Sequence, residues 1–196
     1  LSGCSLPGAS EDQDVAGSFV SSVGKPPSSE IRADTTEEFV DLTGSRVERE
    51  ETAAEPGMSP PDSGQVKAEF FNDVRFRFGT LDVPYGEIDM VDNVIWPTNY
   101  TSVFGIRNLG VRFDQLDKGT AYLATHTLQK GWSPGNWFFD QGKLSVNEGD
   151  SFQIGQSSFR VSDTYQQSKD DAQRNETLWD ASVKNRLFLI VCSPDG

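Results

Sequence analysis

The feature that most limits what this chain can fold into is the uneven placement of its aromatic residues. Only Phe19 and Phe39 of its 21 aromatic residues fall within the first 66 positions, which also hold six of the ten prolines. Such a segment cannot bury enough apolar surface to offset the entropy that ordering costs. The sequence therefore predicts a disordered linker over residues 1–66 and one folded domain, with a real core, over residues 67–196.

Charge excludes one class of partner. The chain carries 30 acidic and 17 basic side chains, a net charge of -13. Contact with nucleic acid needs a surplus of Lys and Arg to replace counterions along the phosphates. No nucleic-acid partner is expected.

The domain has the residue pattern of a β protein. Val74, Phe76 and Phe78 alternate with two arginines, which predicts a half-buried strand. Further strands are predicted at residues 120–127, 143–146, 151–154, 158–161 and 186–192, and a helix within residues 171–182. Short strands joined by glycine-containing turns indicate an all-β barrel or sandwich with one or two short helices.

Two reactive residues stand at the ends of predicted strands. His126 is the single histidine, and Cys192 is one of two cysteines. Alternation places Ala124 on the face of His126 and Ile190 on the face of Cys192. If these strands are parallel neighbours, thiol and imidazole meet at one rim, as a nucleophile and its acid/base require. The alternative is a buried thiol and a histidine that lies at the surface or is satisfied in the core. One His and two distant Cys do not make a metal site, so no metal is expected.

Three segments carry a resemblance to a known family. The chain reads GTAYLATH over residues 119–126, SPGN over residues 133–136 and RLFLIVC over residues 186–192. In this order they resemble a sortase, the cysteine transpeptidase of Gram-positive cell surfaces, and look most like sortase-like proteins of actinobacteria. The resemblance implies a sortase-like β-barrel over residues 67–196, with Cys192 as nucleophile and His126 as acid/base.

The resemblance also implies a reaction and its partners. Cys192 would cleave the C-terminal sorting signal of a surface protein through a thioester, and an amine of cell-wall peptide or a pilin would release the product. No metal or organic cofactor is required, and a monomer is expected. The loop at residues 130–139, with Trp132 and Asn136, is predicted to shape the substrate groove, although Trp132 suits the core equally well.

The chain departs from the family pattern at two points. Val191 stands before the cysteine, where the family usually has Thr. The family's third functional residue is an arginine on the strand after the cysteine, whereas Arg186 precedes Cys192 and the sequence stops at Gly196. We expect a fragment whose barrel lacks its last strand. The alternative is a degenerate relative, an inactive sortase-like binding or structural module on the cell surface.

The first four residues, Leu1-Ser2-Gly3-Cys4, look like the lipobox that ends a bacterial lipoprotein signal peptide. This likeness implies a lipid on Cys4, which would anchor the exported protein to the extracellular face of the membrane, with residues 5–66 as its tether. An arbitrary chain boundary would explain the same four residues. A disulfide between Cys4 and Cys192 is a further alternative for an exported chain.

Overall fold

A computed structural model describes residues 39–47, 66–168, 171–172 and 174–194, together with the backbone of two short strands nearer the N-terminus. Most of the predicted linker, residues 1–66, lies outside the described residues, and its predicted disorder stays a prediction. No helix among the described residues is long and apolar enough to span a membrane.

The described residues are mostly β structure. The strands are β1 (Gly3–Ser5), β2 (Val20–Ser22), β3 (Glu69–Phe78), β4 (Leu81–Ile88), β5 (Val94–Ile95), β6 (Val103–Gly110), β7 (Thr120–Ala124), β8 (Phe139–Asp140), β9 (Lys143–Leu144), β10 (Ser151–Ile154), β11 (Ser157–Arg160) and β12 (Arg186–Ile190). The described residues also include a 3-10 helix, Pro134–Phe138, a short α-helix, α1 (Glu176–Trp179), and helical backbone at residues 171–172. The β-rich class is confirmed, and α1 lies within the residues predicted to be helical.

Seven strands form one mixed, strongly curled sheet, a half-barrel, in the order β11-β10-β3-β4-β6-β7-β12. β4 pairs with β6, and β7 with β12, in parallel, while the other neighbours are antiparallel. β1 pairs with β2 and β5 in a small second sheet, and β8 pairs with β9. β11 and β12 therefore stand at the two edges of the half-barrel.

Alternation along the strands divides the core into two clusters. Leu123 of β7, with Leu187 and Leu189 of β12, packs in a cluster around Phe76, here called the Phe76 cluster. The intervening residues pack in a second cluster around Tyr122, here called the Tyr122 cluster, whose members include Ile88, Trp96, Phe104, Ala124, Trp179, Phe188, Ile190 and Cys192. The period-2 faces are confirmed for Tyr122 and Ala124 in β7 and for Phe188, Ile190 and Cys192 at β12, while the predicted face of His126 stays a prediction.

Helix α1 lies against the Tyr122 cluster. The rings of Tyr122 and Trp179 stack with centroids 5.8 Å apart, and the Tyr122 hydroxyl donates to the Leu178 carbonyl at 2.9 Å. Burial raises the pKa of Tyr122 to about 12. Asn175 caps the helix through its side chain, which accepts from Leu178 N at 3.1 Å. A four-residue helix is thus held by packing and its cap rather than by its own length.

The sequence pattern predicts neither β4 nor β6, each eight residues long, and of the two β6 shows the cause more clearly. It lies between β4 and β7, and its first four residues are all buried, so that no apolar-polar alternation shows. Gly105 leaves room for the Tyr85 hydroxyl, which occupies the place where a Cβ would stand. That hydroxyl donates to the buried Glu87 carboxylate at 3.3 Å, and burial raises the pKa of Glu87.

Residues 39–47, here called the clasp, pack on the domain although the sequence assigns them to the linker. The Asp41 side chain is 4% exposed and accepts from Thr43 N at 2.8 Å, Ser45 N at 3.0 Å and Trp132 N at 3.0 Å. Leu42 N donates to the Trp132 carbonyl at 2.8 Å. The Thr43 hydroxyl, together with the backbone N–H donors, holds the pKa of Asp41 below its usual 3.8 against the opposing effect of burial.

We predict that Asp41→Ala releases the clasp. Its carboxylate accepts several hydrogen bonds, so the free energy of unfolding at pH 7 should fall by about 2 kcal/mol, measured by urea denaturation. Because folding lowers the pKa of Asp41, its contribution is present above about pH 3.8 and is lost as the pH falls through the folded-state value. The difference in the free energy of unfolding between wild type and Asp41→Ala should therefore become smaller below about pH 4.

Asp117→Ala is the matched control, since Asp117 is an exposed carboxylate on another loop. Hydrogen exchange at the amides of residues 42–45 separates local release of the clasp from global unfolding. Equal stability of the two variants, with unchanged exchange at those amides, would contradict the prediction.

Candidate functional site

His126 lies two residues beyond the end of β7 and is 2% exposed. Its Nε2 lies 2.7 Å from the main-chain oxygen of Pro97. The ring meets Trp96 edge-on, with centroids 6.3 Å apart, and Tyr100 at a tilt, with centroids 4.7 Å apart. The imidazole is therefore fixed on a carbonyl and between neighbours that leave it little room to turn.

The main chain of His126 is held by the SPGN segment at residues 133–136. The His126 carbonyl accepts from Gly135 N at 2.9 Å and from Ser133 Oγ at 2.8 Å. A side chain at position 135 would collide with the His126 carbonyl and with Thr127 Oγ1, so only glycine lets the loop approach this closely. The segment that carries part of the sortase resemblance is thus a brace for the histidine.

Asn136 holds this loop together. Its Oδ1 accepts from Leu128 N at 3.1 Å and from Ser133 N at 2.9 Å, and its Nδ2 donates to the Leu128 carbonyl at 2.8 Å. Trp132, with 51% of its surface exposed, packs edge-on against Trp137 at 5.4 Å. The structure gives both residues contacts within the loop and its neighbours, while their predicted role in binding substrate stays a prediction.

Cys192 lies two residues beyond the end of β12 and is half-buried. It packs against the Tyr122 cluster, which contains the Trp96 ring that meets His126. Tyr122 and Ala124 lie on the corresponding face of β7, and Phe188 and Ile190 on that of β12. The thiol therefore packs in the cluster that contains Trp96, and the imidazole meets the edge of that cluster through the Trp96 ring.

The strand register relates the two residues directly. Ala124 pairs with Ile190 as the last partners of the parallel β7–β12 ladder, and Thr125 N donates to the Ile190 carbonyl at 3.3 Å. His126 and Cys192 each follow this pair by two residues. The predicted parallel adjacency of the two strands is confirmed, and the contact of sulfur with imidazole stays a prediction.

A groove of about 940 Å³ runs along β12 and includes Cys192 in its wall. Because β12 is an edge strand, the groove reaches both of its faces, with Leu187 and Leu189 on one and Phe188 and Ile190 on the other. The opposite wall includes Phe152 and Phe159 of the β10–β11 hairpin. Polar side chains, among them Asp163 and Gln167, line the groove as well, so it is suited to an extended chain that carries both apolar and polar groups.

Arg186 stands away from the thiol. It begins β12, whereas Cys192 follows the end of that strand. Its Nε donates to Thr120 Oγ1 at 3.0 Å, and its guanidinium lies over the Phe188 ring at 4.8 Å. Among the described residues, no group of three or more His, Cys, Asp and Glu side chains could hold a metal ion.

Comparison of the chain with models of known families, with curated proteins and with solved structures gives no match. The functional assignment therefore depends on the geometry of the site and on the sequence segments that resemble a sortase.

The sequence does not predict the partners of the His126 side chain. Trp96 and Pro97 lie outside the three segments singled out in the sequence, and a main-chain acceptor such as the Pro97 carbonyl has no residue signature. Tyr100 is likewise 26 positions away in the chain (126 against 100) and meets the ring only through the fold.

We predict that Gly135→Ala displaces the brace. The added Cβ collides with main chain rather than with a flexible side-chain tip, so the free energy of unfolding should fall by about 2 kcal/mol. Gln129→Ala, at an exposed position of the same loop, is the control. Thermal and urea denaturation measure the stability of both variants. A Gly135→Ala protein as stable as the control would refute the prediction.

Proposed function

We propose that this protein is a cysteine transpeptidase of the sortase type, in which Cys192 is the nucleophile and His126 the acid/base. The observation that carries the proposal is the parallel β7–β12 pairing. It places the C-terminal ends of both strands next to each other, at the same end of the sheet. Cys192 packs in the Tyr122 cluster, and His126, 66 positions earlier in the chain (192 against 126), meets Trp96 of that cluster.

The groove supports a peptide substrate. An extended peptide beside β12 would lie along the edge of the strand that leads to Cys192, and its side chains would meet Leu187 and Leu189 or Phe188 and Ile190. Peptides are commonly recognised by addition to the edge of a sheet in this way. The sorting signal of a surface protein is the substrate class that we propose.

The chemistry is acyl transfer. The Cys192 thiolate attacks the carbonyl carbon of a Thr-Gly-type bond, the C–N bond breaks, and imidazolium at His126 gives its proton to the departing amine. The resulting thioester is attacked by an amine of cell-wall peptide or a pilin. That amine loses a proton to His126, and the Cys192 thiolate is released as the new amide forms, which restores the thiolate–imidazolium pair.

We further propose that the protein acts at the extracellular face of the membrane, anchored by a lipid on Cys4 and acting as a monomer. Cleavage before Cys4 would remove Gly3 from β1 and leave the pairing of Cys4 with Ile95 and of Ser5 with Val94. The anchor and the second sheet are therefore compatible.

A second candidate is an inactive sortase-like surface module. It is favoured by the burial of His126, whose Nε2 already has an acceptor in the Pro97 carbonyl, and by the position of Arg186 at the other end of β12. In that case the groove would bind a peptide without cleaving it.

Substitution at the two residues tests the proposal in the full-length polypeptide. Cys192→Ala should abolish thioester formation with a peptide that contains a Thr-Gly bond, detected as an acyl-enzyme by mass spectrometry. His126→Gln keeps a donor N–H near Pro97 but no base, so turnover should fall by about 100-fold or more while the fold is kept. Cys4→Ser is the thiol control and should leave turnover unchanged.

The second candidate predicts a different result. The wild-type protein would bind the peptide, for example by a change in Trp fluorescence, yet form no acyl-enzyme. Unchanged cleavage by Cys192→Ala would refute the transpeptidase proposal outright.

A further inference from the structure

The hydrogen bond at His126 fixes which ring nitrogen carries a proton. A carbonyl oxygen accepts and never donates, so the 2.7 Å contact between Nε2 and the Pro97 oxygen requires a proton on Nε2. A neutral imidazole has only one N–H. Nδ1 is therefore the nitrogen whose lone pair can receive a proton.

We propose that the main-chain carbonyl of Pro97 is the third member of the site, which orients His126 and makes its Nδ1 the base for the Cys192 thiol. The inference rests on the proposed function, in which Cys192 and His126 act as a pair. In other Cys–His enzymes a side-chain amide or carboxylate orients the imidazole, whereas here a main-chain oxygen takes that position. Pro97 is thus a positioning residue that acts through His126.

The carbonyl is well placed to do this. Ile95 and Trp96, which lead into Pro97, are 0% and 6% exposed, and Ile95 belongs to β5. The proline ring fixes one backbone angle at the acceptor itself. On the other side, the main chain of His126 is fixed by Ser133 and Gly135. Donor and acceptor therefore both lie on buried backbone, and that of His126 is also held by hydrogen bonds.

Proton transfer strengthens this contact. When the S–H bond of Cys192 breaks and an Nδ1–H bond forms, the ring becomes a cation, and Nε2–H to the Pro97 oxygen becomes a charge-assisted hydrogen bond. The Tyr100 ring, with its centroid 4.7 Å from that of His126, offers a further contact of the kind that favours a cation. Both contacts stabilise the thiolate–imidazolium form more than the neutral pair.

The single histidine makes the tautomer directly measurable. In protein labelled with 15N-histidine, every imidazole signal comes from His126. In the neutral ring at high pH we expect the chemical shifts and couplings of a protonated Nε2 and an unprotonated Nδ1. A proton on Nδ1, or rapid averaging of the two forms, overturns the proposal whatever the activity of the protein.

A weakened acceptor tests the consequence for the thiol. Replacing Thr98 by its α-hydroxy acid analogue turns the 97–98 peptide bond into an ester, whose carbonyl is a poorer acceptor, without changing a side chain. In a Cys4→Ser background, alkylation of Cys192 by iodoacetamide at neutral pH should become about tenfold slower, since one pKa unit corresponds to a factor of ten. The same replacement at Asn99 weakens the next carbonyl instead and is the matched control.

Equal alkylation rates for the two esters would show a merely structural hydrogen bond and overturn the proposal. The NMR result on the unmodified protein decides the tautomer even if an ester variant fails to fold. If the tautomer and the alkylation rates follow expectation but no acyl-enzyme forms with any sorting peptide, the oriented pair stands and the transpeptidase function fails. If an acyl-enzyme forms although the His126 proton is on Nδ1, the transpeptidase function stands and the role proposed for the Pro97 carbonyl fails.

Discussion

The parallel pairing of β7 with β12 is the contact on which the site depends. It joins segments that lie 66 residues apart at their register partners Thr120 and Arg186, and it continues to Ala124 and Ile190. Parallel strands cannot be joined by a tight turn. The intervening chain therefore forms the loop that contains the SPGN segment, two hairpins and α1 before it returns to the sheet as β12. Without this pairing, the only histidine and the cysteine at the end of the chain would have no spatial relation.

Much of this arrangement follows from residue patterns that are visible in the sequence. Alternation along residues 120–124 and 186–190 predicts the faces that join the Tyr122 and Phe76 clusters. Edge and hairpin strands such as β10 and β11 keep one polar face, and so they are predicted within one residue of their observed limits. β6 is buried on both faces in its first half and loses the alternation that would reveal it.

The sequence does not predict the immediate surroundings of His126, for a different reason. Its acceptor is a peptide carbonyl, which every residue has, and its ring neighbours come from a loop before β6. Asn136 shows the reverse case. Its place in the loop after His126 predicts a contact with substrate, while the structure engages both ends of its amide with the main chain of its own loop. The sequence shows which residues the loop contains, and it does not show which atoms they bind.

The clasp, residues 39–47, lies before the position at which composition places the start of the folded domain. Aromatic content changes at position 66, but Phe39 packs its ring against Tyr100 at 5.4 Å, and Tyr100 in turn packs against His126. Composition therefore marks where a continuous apolar core starts, and it does not mark the first residue that the fold uses. A polypeptide cut at the compositional boundary would keep every strand of the half-barrel and lose the outer layer over the ring that packs on the histidine.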